Sequence, residues 1–178
     1  MANLGCYCGT TLYDTGTPSQ SRIHVYTDSE IQASLKLDPK LKFWDFTYDS
    51  EKFPVKNENQ IEYWYCTVCG RVYVVPTQPD AKTLWVYEKL QGAVPEGISV
   101  EKDWERLHIY TDTEGYNAVE ANNCAGYDTV MLEDFIYRKP WKFVYFISPD
   151  EKYVVAQNAA DKTFAFVYER KPIVRKQK

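Results

Sequence analysis

Runs of alternating apolar and polar residues, each closed by a turn signal, predict a chain built mostly of short strands. Ile61-Glu62-Tyr63-Trp64-Tyr65 and Val72-Tyr73-Val74-Val75 carry the aromatic and β-branched residues that suit a pleated surface. They flank Cys66-Thr67-Val68-Cys69-Gly70, which predicts a hairpin with a Cys-x-x-Cys tip. Arg22 to Tyr26 alternates as a strand does, and Thr27 or Asp28 can cap a short helix through about Leu37. A counterpart helix is expected from Asp112 to about Glu120, weakened by Gly115. Closing strands follow at Thr83 to Lys89 and Thr163 to Arg170, with a variable segment in front of each hairpin, Asp38 to Gln60 and Asn122 to Pro140.

The two sets of elements form an internal repeat. Arg22-Ile23-His24-Val25-Tyr26-Thr27-Asp28-Ser29-Glu30 returns as Arg106-Leu107-His108-Ile109-Tyr110-Thr111-Asp112-Thr113-Glu114, with the remaining matches in the same order. Tyr65, Tyr73, Val74 and Val75 align with Tyr145, Tyr153, Val154 and Val155, Lys82-Thr83 with Lys162-Thr163, and Val86-Tyr87-Glu88-Lys89 with Val167-Tyr168-Glu169-Arg170. One extra residue near Ala165 predicts a β-bulge in the last strand. Gln91 to Gly97, with two Gly and one Pro, reads as the join between the copies. The expected fold is α+β: two tandem, mainly antiparallel modules, each with one short helix, over residues 1–90 and 98–170, followed by a basic tail, 171–178.

Composition supports a globular chain. Its 178 residues are 44% hydrophobic and 16% aromatic, enough for a core. A net charge of -4 leans away from broad nucleic-acid binding and toward a basic partner. No basic, apolar leader precedes Cys6 and no apolar run is long enough to span a bilayer, so a cytoplasmic protein is expected.

A reducing compartment changes the reading of the cysteines. Cys6-Tyr7-Cys8-Gly9 and Cys66-Thr67-Val68-Cys69-Gly70 are close pairs, each followed by the glycine that lets a tight turn bring N–H groups toward the sulfurs. Four thiolates suit a closed tetrahedral Zn2+ site with a structural role, because no position is left for water; disulfides or a redox pair are the alternatives. The second copy has Phe146 and Pro149 where the first has Cys66 and Cys69, so its hairpin must close on Ser148-Pro149-Asp150 without metal.

Cys-x-Cys-Gly, the strand Val25-Tyr26-Thr27-Asp28-Ser29-Glu30, the hairpin Trp64 to Val74 and the closing Val86-Tyr87-Glu88-Lys89 together resemble a group of small bacterial zinc-ribbon-like proteins. The resemblance covers residues 6–90, and 106–170 only as a degenerate second copy. It implies a zinc-ribbon-like first module, and for some such proteins a role as immunity proteins that neutralise a bacterial toxin.

Other residues bear on the job. His24 and His108 hold equivalent strand positions in separate copies, which favours structural roles over a catalytic pair or an extra metal ligand. Cys124 has no histidine or cationic helix start beside it and reads as a plain thiol. Phe43 to Glu51 interleaves aromatics with acids, and Tyr127 to Phe135 keeps that character. The bland reading is a strand or loop with one packed face. The sharper reading is a partner surface built on Trp44, Asp45, Tyr48, Asp49, Glu51, Asp128, Glu133 and Asp134. With no phosphate loop, Ser/His/Asp ordering or open metal site, a noncatalytic protein-binding module is expected, most concretely an immunity protein. The alternative is a nucleic-acid- or transcription-associated zinc ribbon using Lys40, Lys42, Arg71 and the tail.

Overall fold

The computed structural model describes residues 3–13, 18–48, 61–76, 85–91, 95–100, 102–115, 130–138 and 140–173. A short ribbon, β1 (Asn3–Gly5) against β2 (Thr11–Tyr13), precedes eight longer strands. These are β3 (Arg22–Thr27), β4 (Ile61–Tyr65), β5 (Val72–Pro76), β6 (Trp85–Lys89), β7 (Glu105–Thr111), β8 (Phe143–Ile147), β9 (Tyr153–Asn158) and β10 (Phe164–Pro172). They close into one antiparallel barrel in the order β10-β6-β5-β4-β3-β7-β8-β9.

Closure overturns the expectation of two tandem α+β modules. Each copy supplies a four-stranded meander, and a meander alone leaves two strand edges with unpaired N–H and C=O groups. The edges are satisfied by the other copy: β3 pairs with β7 and β6 with β10. The register is symmetric. Val25 lies opposite its counterpart Ile109, His24 opposite Tyr110 and Tyr26 opposite His108, while Glu88 lies opposite Glu169. The halves are thus related by a local two-fold passing between equivalent strands. The β-bulge is where the alignment put it, between Phe164 and Phe166.

Helix α1 (Asp28–Leu37) starts as its sequence requires. Thr27 accepts from the Glu30 N–H at 3.2 Å, and the Glu30 carboxylate accepts from the Thr27 N–H at 2.7 Å, a complete capping box. Thr111 and Glu114 repeat both bonds at 3.1 and 2.8 Å, opening the equivalent helical turn at 112–115. Gly115 is there for space: a Cβ would sit 3.0 Å from the Phe43 ring. Helix α2 (Phe43–Tyr48) and a π-helical segment (Asp134–Arg138) flank a bridge between Lys42 and Met131. The Phe43 N–H donates to the Val130 carbonyl and the Leu132 N–H to the Leu41 carbonyl, again about a two-fold.

The outer face of the ring carries two cores. Tyr26 and Tyr110 on β3 and β7 pack under Ile31, Phe43, Phe46, Leu132, Phe135 and Ile136 from the helices. Trp64, Tyr73 and Val86 pack under Cys6, Leu12 and Cys66. A third cluster, with Val74, Tyr87, Leu107 and Val154, faces the lumen. Among the described residues no helix is long and apolar enough to cross a membrane.

Candidate metal centre

Both cysteine pairs sit on tight turns that the strands hold in place. Between β4 and β5, the Cys66 N–H donates to the Arg71 carbonyl at 2.9 Å and the Gly70 N–H to the Cys66 carbonyl at 2.8 Å. Between β1 and β2, the Cys6 N–H donates to the Thr10 carbonyl at 2.8 Å and the Gly9 N–H to the Cys6 carbonyl at 2.9 Å. Gly9 (φ 92°) and Gly70 (φ 74°) take left-handed conformations that cost an L side chain dearly. The two turns face each other, so that all four sulfurs lie within 4.8 Å of one another.

The spacing and chemistry fit a metal ion. Cys6 Sγ lies 3.4 Å from Cys69 Sγ and from Cys8 Sγ, and Cys8 Sγ lies 3.7 Å from Cys66 Sγ. These are free thiols, well beyond disulfide bonding distance. Tetrahedral thiolate ligands with bonds near 2.3 Å place their sulfurs about 3.8 Å apart. The four cysteines are therefore close enough to hold a metal ion, as their spacing in the sequence predicts.

Surroundings treat the thiols differently. Burial pushes Cys6 up to about 12, while the Thr10 hydroxyl and N–H beside exposed Cys8 bring it down to about 6. The Tyr73 hydroxyl donates to Cys6 Sγ at 3.2 Å and accepts from the Tyr7 N–H at 3.0 Å, tying the first turn to β5. Arg71, next to the second turn, donates to Glu88 at 2.7 Å and lies over the Tyr7 ring at 5.8 Å. In the second copy, the Ser148 hydroxyl takes the sulfurs' place. It donates to Asp150 at 2.6 Å and accepts from the Tyr153 N–H at 3.0 Å, closing the β8–β9 turn without metal.

The histidines are neither isolated nor in separate modules. His24 Nε2 contacts Asp112 Oδ1 at 2.8 Å, and His108 Nε2 contacts Asp28 Oδ1 at 2.8 Å: each histidine is paired with the aspartate of the other copy. His24 stacks on Tyr110 at 5.1 Å, and Asp112 accepts the Ser19 N–H with its second oxygen at 2.8 Å. The Tyr137 hydroxyl adds a bond to Asp28 at 2.9 Å. Equivalent His and Asp positions in the repeat were the available signal; pairing across copies needs the two-fold, which a linear alignment does not contain.

These pairs set an expected pH dependence. Burial holds His108 below the ordinary imidazole range despite Asp28. Burial alone would raise Asp28, but the bonds from His108 and Tyr137 outweigh it and hold the carboxyl low. Both groups therefore take up protons more readily in the unfolded chain, and acid lowers stability. The loss starts as pH falls through about 6.5 for the imidazole and deepens below about 4 for the carboxyl. His108→Phe should cost about 1–3 kcal/mol at pH 7.5 and flatten the decline in thermal midpoint between pH 7 and pH 5; a decline as steep as the wild type's would refute this origin.

The acidic and aromatic positions are brought together in part. The segment at Phe43 is helical rather than strand or loop, with Phe43, Phe46 and Thr47 buried and Trp44 and Asp45 half-buried. Glu133 is exposed, and Asp134 pairs with Arg138 at 2.9 Å. Asp45-Phe46-Thr47-Tyr48 and Asp134-Phe135-Ile136-Tyr137 follow the bridging residues at the same spacing, a further match between the halves. Asp49, Glu51, Asp128 and Cys124 lie outside the described residues, as does the side chain of Tyr48.

A family model described as a domain of unknown function (DUF8617) matches residues 2–123. Comparison with curated proteins and with solved structures returned no match. Because the matched span takes in well over half of the chain, both cysteine pairs and the strands from β1 through β7, the protein belongs to the DUF8617 family.

Proposed function

We propose that the protein is a noncatalytic binding protein, stapled by a structural Zn2+ on Cys6, Cys8, Cys66 and Cys69, that presents an acidic outer face to a basic protein partner. Zinc is the reading of the metal because four thiolates from two turns make a closed tetrahedral set with no position for a reacting water. Such an ion fixes a surface rather than performs a reaction.

The observation that carries the binding reading is the bridge between Lys42 and Met131. It joins, on one side of the barrel, the two acidic and aromatic segments that lie far apart in sequence. Phe43, Phe46, Leu132 and Phe135 pack inward and Glu133 is left toward solvent, where a carboxylate steers a cationic partner and repels an anionic one. In its most concrete form the partner is a toxin domain, and the protein is its immunity protein in a reducing cytosol. A nucleic-acid role is less well supported, since Arg71, one of the few cations it could use, is engaged with Glu88.

The test is calorimetric titration against a basic toxin domain found by sequencing the genes that flank this one; flanking genes with no such domain would count against the immunity reading. Asp45→Lys with Glu133→Lys should weaken binding by at least about tenfold, chiefly through a slower, less salt-sensitive association. Equal binding by this variant, or salt-sensitive binding of RNA or DNA in its place, would overturn the reading.

A further inference from the structure

Burial in this barrel differs between its two faces. Outward-facing Trp64 (3% exposed), Tyr73 (1%) and Val155 (0%) are sealed, whereas Tyr63, Tyr65, Tyr145 and Tyr168, whose register turns them inward, are only half-buried. Their remaining surface faces a cavity of about 1400 Å³ enclosed by the ring. An eight-stranded barrel can be filled by its own side chains or can keep room for one small ligand. This one keeps room.

Part of the wall is aliphatic and aromatic. Val74, Leu107 and Val154 give an aliphatic surface. Phe143, Tyr145, Phe166 and Tyr168 form a linked aromatic patch, with ring centroids 5.0 Å apart for Phe143 and Phe166 and 5.7 Å for Phe166 and Tyr168. Tyr87 donates to the Glu151 carbonyl at 2.9 Å, but the hydroxyls of Tyr63, Tyr145 and Tyr168 meet no partner among the described residues. These hydroxyls open on the lumen, where a ligand oxygen can accept from them. Burial pushes Tyr145 and Tyr168 up to about 12 and Tyr63 further, so all three are O–H donors at neutral pH.

Charge narrows the choice. Arg170, on the inward side of β10, is paired with Glu151 at 2.8 Å and lies over Trp85 at 4.9 Å, and Lys89 lies over Phe166 at 4.6 Å. The wall also carries the carboxylates of Glu30, Glu62, Asp103, Glu105 and Glu114, which repel an anion, while a cation would have to shed its hydration to enter. Glu62 is held by Arg22 at 3.0 Å, and Glu30, Glu105 and Glu114 accept from Thr27, Ser29 and Thr111, contacts that a neutral ligand leaves in place.

We propose that the barrel lumen is a binding site for an uncharged, mainly aromatic small molecule bearing hydrogen-bond-accepting oxygens, with Tyr63, Tyr145 and Tyr168 as donors and Val74, Leu107 and Val154 as the apolar floor. The site is separate from the outer face assigned to a protein partner, so either assignment can fail without the other.

The probe is 6-propionyl-2-dimethylaminonaphthalene, a neutral naphthyl ketone whose emission reports polarity, titrated into the full-length, metal-loaded protein. Expected is saturable binding of one probe per chain with blue-shifted emission. Tyr145→Phe with Tyr168→Phe should weaken binding by about tenfold, as for the loss of a well-made hydrogen bond, while leaving the thermal midpoint unchanged or higher. A merely structural role for the hydroxyls would lower the midpoint instead. Leu107→Trp should abolish binding by filling the lumen; if that variant does not fold, the phenylalanine pair, which adds no volume, carries the test. Absence of saturable binding, unchanged affinity in the phenylalanine pair, or tighter binding of a naphthyl sulfonate or a naphthyl quaternary ammonium than of the neutral ketone would overturn the proposal.

Discussion

Residues 1–97 expressed without the second half should not yield a folded monomer. The half-chain keeps the four-cysteine set and the β3–β4–β5–β6 meander, but loses the partners of both β3 and β6. His24 loses Asp112 and Asp28 loses His108, leaving two polar groups whose partners belong to the missing copy. The expected cost is the whole folding free energy of a domain this size, on the order of 5–15 kcal/mol. The same register offers one escape. Equivalent strands already face each other across the local two-fold, so a twin half could place β3 against β3 with His24 beside the twin's Asp28. Sedimentation and circular dichroism over a range of concentrations should show either an unfolded chain or a dimer whose β signal rises with concentration. A folded monomer at high dilution would mean that the halves do not depend on each other.

Loss of the metal should have the next largest effect. Cys66 is fully buried beside Trp64 and Tyr73, so an ion held by the four cysteines would tie β1 and β2 to the outer face of the barrel. Cys66→Ser should bring metal content from one ion per chain to near zero. It should also lower stability by about 4 kcal/mol, less than the roughly 10 kcal/mol typical of isolated zinc modules because the barrel persists. A fall in thermal midpoint on the order of 10 °C follows. Elemental analysis and a thermal melt measure both, with Cys124→Ser as the control that should change neither. Unchanged metal in Cys66→Ser would remove the centre altogether.

Elements were more legible than architecture. The Thr27 capping box, the Cys66 to Cys69 turn, the bulge near Ala165 and the metal-free turn at Ser148 are local, and each is written in a few consecutive residues. The four-cysteine cluster was readable for the same reason: two short pairs with glycine after each leave few geometries. Closure of the ring was not readable. Nothing in a strand's own alternation says whether its edge meets solvent, a copy or its sister repeat, and a repeat is compatible with modules in tandem as well as with modules merged. Val25 opposite Ile109 and Glu88 opposite Glu169 are facts of pairing that appear only once the two edges are seen to need each other. The lumen was hidden by composition: tyrosines count toward a core in a tally of aromatic residues, yet Tyr63 and Tyr145 line a space.

Ring closure also bears on how the chain reaches its native state. Hairpins such as β4–β5 and β8–β9 join neighbours in the chain, whereas the seams join Ile23 with Thr111 and Trp85 with Pro172. Contacts between such distant residues carry a large loop-closure cost before they return any stabilisation. The two meanders should therefore collapse early and the seams zip late, which places the rate-limiting barrier at the meeting of the halves and makes an unzipped half, with its bare strand edges, the species most open to aggregation during synthesis.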